Sequence, residues 1–182
     1  MSNIQHPLQA FAYCPHCGSA HFKEDGPRSK HCTECGFNFY LNPAAAVAAL
    51  ITNSNGELLL TKRAFEPKKG TLDLPGGFAE PGETMEEALK REIYEELGTD
   101  IINIGYFTSQ PNRYPFGGLT VHTLDCFFTA QLPTDSKPKA NDDVAAYTWI
   151  AAEKIDLQQI GLTSIREAVS KWIKQTTPPE AE

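Results

Sequence analysis

Glu92, Glu95 and Glu96 stand at i, i+3 and i+4 in the stretch Arg91-Glu92-Ile93-Tyr94-Glu95-Glu96-Leu97-Gly98. On a helix that spacing crowds three carboxylates into one sector. Like charges three and four residues apart cost a helix roughly 0.2–0.5 kcal/mol per pair, so stability is not the reason for the arrangement. Oxygen donors held this close suit a hard divalent cation, which offsets the repulsion. A merely solvated acidic face would lie opposite the apolar stripe. Here Leu89, Ile93 and Leu97 form the stripe and the glutamates border it.

A second set of chemistry-bearing residues lies near the N-terminus, as Cys14-Pro-His-Cys17 and Cys32-Thr-Glu-Cys35. Glycine follows each pair (Gly18 and Gly36) and allows the tight turn that aims backbone N–H groups at thiolate sulfur. Two such knuckles, fourteen residues apart, match a tetrahedral four-cysteine Zn²⁺ site. Disulfides are not expected in a cytosolic chain, and a redox pair would be a single Cys-x-x-Cys beside a βαβ unit. His16, His21 and His31 lie nearby but are not needed as ligands and are expected on the surface. Cys126, in Leu124-Asp-Cys-Phe-Phe128, reads as an inert core thiol.

The glutamate row needs a helix and a loop to aim it. Pro81-Gly82 makes a turn, Thr84 with Glu87 fits a capping box, and Gly98 fits a left-handed C-terminal cap. Glu87, Lys90 and Tyr94 then point to solvent, and Glu86 is left exposed at the helix end. Upstream, residues 44–52 read as a buried strand, 53–56 as a hairpin turn and 57–62 as the partner strand. A loop at 67–70 leads into a short strand at 71–74 and then Pro75-Gly76-Gly77. Downstream, 101–108, 120–130 and 145–150 read as strands, leaving 109–119 as a loop. A closing amphipathic helix over about 164–173 turns Ile165, Val169, Trp172 and Ile173 inward. Strands interrupted by one helix and closed by another predict an α/β class: an α/β/α sandwich with a mixed sheet.

The chain has 182 residues, 41% of them hydrophobic, enough for one core domain plus an appendage. The expected divisions are a zinc ribbon at 1–42, closed by Asn42-Pro43, a main domain at 43–176 and a disordered tail at 177–182. A net charge of −7 weighs against a dedicated nucleic-acid or anionic-membrane binder. In residues 1–43, Lys23, Arg28 and Lys30 offset Glu24, Asp25 and Glu34, so the deficit lies in 44–182. A neutral ribbon argues for a structural lobe that packs or dimerises, leaving a homodimer open, over one that reads nucleic acid. No basic segment precedes an apolar run, and the run at 44–51 is far short of the ~20 residues that span a bilayer. A soluble cytoplasmic protein without internal repeats is expected.

The stretch from Gly77 to Gly98 resembles the Nudix box, Gly-x5-Glu-x7-Arg-Glu-U-x-Glu-Glu-x-Gly-U, where U is a bulky apolar residue. Gly77, Glu83, Arg91, Glu92, Glu95, Glu96 and Gly98 fill every fixed position and Ile93 the first U. Thr99 departs at the second U, which bears on packing, and Ile101 and Ile102 follow at once. The resemblance implies a Nudix hydrolase, which cleaves a nucleoside diphosphate linked to another group, and a fold of the same α/β/α architecture. It also implies that Glu92, Glu95 and Glu96 hold Mg²⁺ or Mn²⁺ with the backbone carbonyl of Gly77. Arg91 would orient the glutamates, and Glu83 would brace the loop. The general base varies across the family, between a box glutamate and a carboxylate from a later loop. Asp142 and Asp143, just before the last strand, stand where the latter would come from.

A ribbon followed by this box also resembles the NADH pyrophosphatases, as does Tyr106-Phe-Thr-Ser-Gln-Pro111. That subfamily continues Ser-Gln-Pro-Trp-Pro-Phe-Pro-x-Ser. This chain reads Ser109-Gln-Pro-Asn-Arg-Tyr-Pro-Phe116, without the tryptophan, the final serine or the intermediate lobe of full-length members. Arg113, Tyr114 and Phe116 are candidates to grip a phosphate and stack a base or sugar, against a loop whose aromatics only pack. Arg63 is a candidate phosphate ligand or an ordinary surface charge. The expected activity is hydrolysis of a small-molecule nucleotide such as NADH, ADP-ribose or a nucleotide sugar. One alternative is a ligand-binding regulatory Nudix module without activity, although such modules usually lose box glutamates. Another is a hydrolase of RNA ends or nucleoside triphosphates.

Overall fold

The structure, a computed structural model, describes residues 6–176, so the tail at 177–182 lies outside the described residues. The chain divides into two compact units, 1–42 and 43–182. In the first, β1 (Phe22–Glu24), β2 (Ser29–Cys32) and β3 (Asn38–Tyr40) form an antiparallel sheet in the order β1-β2-β3. Its buried centre is Cys14, Phe22 and Cys32, with Phe37 and Phe39 packed against them. Units of about 40 residues seldom hold themselves together by apolar burial alone. The knuckles, which bring Cys14 and Cys32 into that centre, therefore matter to the fold.

In the second unit, β4 (Ala44–Ile51) is the central strand, and its near-continuous apolar run has a simple cause. Val47, Ala49 and Ile51 pack in one core cluster, while Ala48 and Leu50 pack in another on the opposite face. A strand covered on both sides has no face left for polar residues. The first cluster receives Ala88, Leu89, Ile93 and Leu97 of α1 (Met85–Leu97). The second receives Ile165, Ala168, Val169 and Trp172 of α2 (Thr163–Thr176). Two helices thus sandwich the strands, as the sequence pattern predicts. Among the described residues, no helix is long and apolar enough to cross a membrane.

The sandwich filling is two sheets rather than one. β5 (Leu58–Arg63) and β6 (Leu72–Asp73) join β10 (Val144–Ile150) in the antiparallel order β10-β5-β6. β7 (Gly76–Phe78), β4, β9 (Leu119–Gln131) and β8 (Ile102–Phe116) make the other, with β4 and β9 parallel. The turn at 53–56 leaves β4 and β5 only an isolated bridge, Thr52 to Leu58, and the strands part beyond it.

β8 is the larger departure from expectation. It runs on through the segment read as a loop and pairs with β9 as far as Phe116–Leu119. Pro111 and Pro115 obscured this, since proline interrupts a ladder, but β8 is an edge strand, where missing donors are tolerated. Gly117 and Gly118, at φ 58° and 77°, form the two-residue turn that such a hairpin requires.

Candidate active site

Helix α1 begins and ends as its sequence dictates. Thr84 accepts from the Glu87 N–H, the Glu87 side chain accepts from the Thr84 N–H, and Gly98 adopts the left-handed cap. Burial of Leu89, Ile93 and Leu97 fixes the rotation of the helix. Glu92, Glu95 and Glu96 then border a cleft, while Glu87, Lys90 and Tyr94 remain exposed. Glu96 is only 7% exposed. Its Oε2 accepts from the Gly76 N–H at 2.9 Å. Burial pushes its carboxyl up to about 8 against that hydrogen bond, and the charges of Glu92, Asp73 and Asp143 add to the rise. Burial raises Glu92 as well, opposed by Arg91.

Two glycines make this approach possible. A Cβ on Gly76 would lie 2.1 Å from the Val47 carbonyl oxygen, and one on Gly77 would lie 2.5 Å from Glu92 Oε2. Gly76 therefore lets β7 run against β4, and Gly77 leaves room for the Glu92 carboxylate. Arg91 ties the loop to the helix. Its Nε and Nη2 donate to the two carboxylate oxygens of Glu83 at 2.7 and 3.0 Å, and Nη2 also donates to the Phe78 carbonyl at 2.9 Å. Nη1 reaches Glu92 at 2.8 Å and Glu95 at 3.1 Å. The guanidinium holds the Glu83 carboxyl down to about 2.

The cleft, of about 480 Å³, opens where the two sheets part. Glu80, Glu92, Glu95, Glu96, Asp142 and Asp143 are among its carboxylates, with Arg91 beside them. Its other lining includes Ala46, Ala48, Leu74, Phe78, Tyr114 and Phe116. Asp142 and Asp143 are both exposed on the turn before β10, Asp142 at φ 49°.

The structure separates the candidates of the β8 segment. Side chains alternate along a strand, so Asn112, Tyr114 and Phe116 line the cleft and Arg113 does not. Read as a loop, the segment gave no reason to split them. Tyr114 packs edge-on to Phe78, with ring centroids 5.8 Å apart, and beside Phe116 at 6.5 Å. Arg63 lines the cleft and is not an ordinary surface charge, since three of its five N–H donors are bound within the protein. It donates to Asp73 Oδ2 at 2.6 Å, to the Pro67 carbonyl at 2.7 Å and to the Tyr114 hydroxyl at 3.0 Å. Asp73 is buried, and removing one partner of a buried pair typically costs about 3–5 kcal/mol. Arg63→Met is accordingly expected to lower unfolding free energy by about that amount. A loss under about 1 kcal/mol in urea denaturation would show the pair to be superficial.

Asp73, Asn112, Thr123 and Asp125 also line the cleft and were not singled out from sequence. For the two aspartates a signal existed. Each interrupts an otherwise apolar stretch, Leu72-Asp73-Leu74 and Leu124-Asp125-Cys126-Phe127, and a charge at a buried strand position seldom lacks a partner. Cys126, set beside Asp125, is partly buried against the α1 core, and burial raises its thiol.

The donor sets suit two kinds of metal. In the first unit the four cysteine sulfurs lie within 4.8 Å of one another. The Cys14–Cys35 and Cys17–Cys32 sulfurs are each 3.7 Å apart, close to the ~3.8 Å edge of a tetrahedron with Zn–S bonds of ~2.3 Å. Burial raises the Cys32 thiol, but the backbone N–H groups of Cys35 and Glu34 outweigh it and bring it down to about 6. The glutamate oxygens are hard donors that suit Mg²⁺ or Mn²⁺. They are not drawn together in the same way: Glu92 and Glu95 turn onto Arg91, and Glu96 onto Gly76.

A family model for the NUDIX domain matches residues 42–173. The chain belongs to the Nudix family. Its fold is shared by a NUDIX hydrolase from Nitrosomonas europaea, with a TM-score of 0.70 at 22% identity, covering 90% of this chain and 91% of that one. A MutT NUDIX hydrolase from Burkholderia pseudomallei gives 0.63 at 26% identity, covering 75% and 100%. In sequence, the Nudix chain is 36% identical over 115 residues to the NAD-capped RNA hydrolase NudC of Haemophilus influenzae (strain PittGG), covering 62% of this chain and 43% of that protein. It is 27% identical over 143 residues to the NudC of Pseudomonas aeruginosa (strain LESB58), covering 79% and 49%. The chain thus spans under half the length of these relatives.

Proposed function

We propose that this chain is a divalent-metal-dependent pyrophosphohydrolase acting on the diphosphate of a nucleoside-diphosphate derivative, with NAD-type dinucleotides and ADP-ribose foremost. The observation that carries this reading is a single cleft with carboxylates in one part and an aromatic wall in another. Mg²⁺ or Mn²⁺, held by Glu92, Glu95 and Glu96 with the Gly77 carbonyl, would neutralise phosphate oxygens and acidify water. Arg91 keeps Glu92 and Glu95 aimed through its hydrogen bonds, and Glu83 anchors Arg91 to the loop. Burial raises the Glu96 carboxyl to about 8 in the metal-free chain, and a bound cation would draw it back to the ionised form that a ligand must have. Asp142 and Asp143 offer proton acceptors on the same cleft. Phe78, Tyr114 and Phe116 hold the organic group and exclude water.

The relatives are named for hydrolysis of an NAD cap on RNA, which supports the dinucleotide end of the substrate range. We further assign the ribbon to residues 1–42, with Cys14, Cys17, Cys32 and Cys35 as ligands of a structural Zn²⁺, and catalysis to 43–176. The test is product release with Mg²⁺ and with Mn²⁺ over NADH, NAD⁺, NAD-capped RNA, ADP-ribose, nucleotide sugars and nucleoside triphosphates. Turnover of a diphosphate ester or dinucleotide ahead of the triphosphates is expected. Binding without turnover anywhere in the panel would instead make the chain a regulatory module.

Tyr114→Ala is expected to raise KM about 10-fold or more for the preferred substrate, with kcat changed less, because it removes binding common to ground and transition states. Unchanged KM values and substrate ranking would mean that the aromatic wall only packs.

A further inference from the structure

Beside the aromatic wall, the cleft carries a polar pair that the hydrolytic scheme does not use. Asp125 is 7% exposed and lines the cleft without a cationic partner among the described residues. Its carboxylate accepts from the Thr123 hydroxyl at 2.5 Å, the Ser164 hydroxyl at 2.6 Å and the Asn112 amide at 3.1 Å. A carboxylate has about four lone-pair positions, so one acceptor position is left.

Asn112 is oriented by the same network. Its Oδ1 accepts from the Arg113 N–H at 2.8 Å, and its Nδ2 faces a carboxylate that can only accept. The amide therefore cannot be flipped, and one N–H of Nδ2 is left to donate. Oδ2 already accepts from Ser164 and Asn112, so the acceptor position left is on Oδ1, and with the remaining Asn112 N–H it lies on the sheet face shared with Tyr114 and Phe116.

We propose that Asp125 and Asn112 read the amino-bearing edge of an adenine ring stacked on this wall, Asp125 accepting from the exocyclic amino group and Asn112 donating to the adjacent ring nitrogen. A nicotinamide carboxamide carries a donor and an acceptor side by side as well, and the comparison of AMP with NMN separates the two. The oxopurine hypoxanthine reverses both roles. It sets a carbonyl against the Asp125 carboxylate and an N–H against the Asn112 N–H, leaving buried groups unpaired. The proposal rests on the cleft being a nucleotide site, but not on turnover.

The test is equilibrium binding of AMP, IMP and NMN to the full-length chain with Mg²⁺, followed by hydrolysis of ADP-ribose against IDP-ribose. AMP is expected to bind on the order of 10- to 100-fold more tightly than IMP, as a paired donor–acceptor contact to adenine does elsewhere. Asp125→Asn, which can donate to a carbonyl, is expected to bring that ratio within about 3-fold of unity. Should Asp125→Asn fail to fold by circular dichroism, Asn112→Ala, at a half-buried edge-strand position, is expected to lower the ratio several-fold by itself. Equal or absent binding of AMP and IMP, or a ratio that survives both substitutions, overturns the proposal. NMN binding more tightly than AMP would assign the pair to the carboxamide and overturn it for adenine. A chain that discriminates AMP from IMP yet hydrolyses nothing would refute the hydrolase reading and leave this one standing.

Discussion

Glu96→Gln is expected to reduce turnover by at least ~10²-fold, because it removes charge from the proposed metal site without changing volume. The same substitution is expected to abolish a pH dependence of stability. In the folded chain the Glu96 carboxyl is raised to about 8 from an ordinary value of 4.5, so the folded state binds its proton more tightly than the unfolded state. Stability from this group is therefore full below about 4.5, declines as pH rises through the window up to about 8, and is lowest above it. Glutamine stands in for the protonated acid and keeps an oxygen for the Gly76 N–H. In EDTA, the melting temperature of the wild type should fall between pH 5 and 9 more steeply than that of Glu96→Gln. Glu87→Gln is the control, since it is exposed and glutamine still completes a capping box. Equal losses of activity at both positions would mean that burial of the α1 stripe does not select the functional face. Parallel pH slopes would mean that Glu96 is not the buried acid.

Loss of one zinc ligand should have the larger structural effect. Cys32 is fully buried at the centre of a three-residue core cluster, and structural zinc contributes about 10–16 kcal/mol in small zinc-dependent folds. Cys32→Ser is expected to reduce zinc from about one per chain to far below that, and to remove hydrogen-exchange protection from β1, β2 and β3. Elemental analysis of untagged protein, with exchange measured peptide by peptide, checks both. Absence of zinc from the wild type, or full protection of the ribbon without it, would contradict the assignment.

What could be read from sequence was whatever depends on short-range spacing. The capping box of Thr84 and Glu87, the cap at Gly98 and the buried stripe of Leu89, Ile93 and Leu97 all follow from helical geometry within a few residues. The cysteine knuckles follow from turn geometry in the same way, with Gly18 and Gly36 at positive φ. Even the two-sided burial of β4 was visible, because a strand between two helices has no polar face. The β8–β9 hairpin was not read from sequence, although Gly117-Gly118 carries its turn and an edge strand tolerates Pro111 and Pro115.

The tertiary structure alone decided which distant residues share the cleft. Arg63 and Tyr114 are fifty-one positions apart, and Asp125 and Ser164 thirty-nine, yet each pair is hydrogen-bonded. No local periodicity encodes such meetings. They arise from β4 and β9 running parallel and from β4 and β5 parting into separate sheets. The same pairing turned Asn112 inward and Arg113 away, a choice that one residue of register would reverse. Sequence therefore determined the chemistry available on α1 and in the knuckles. The fold determined how deeply Glu96 is buried, and with it the high proton affinity of that carboxyl, because desolvation comes from the layers packed around a side chain and not from its neighbours in the chain.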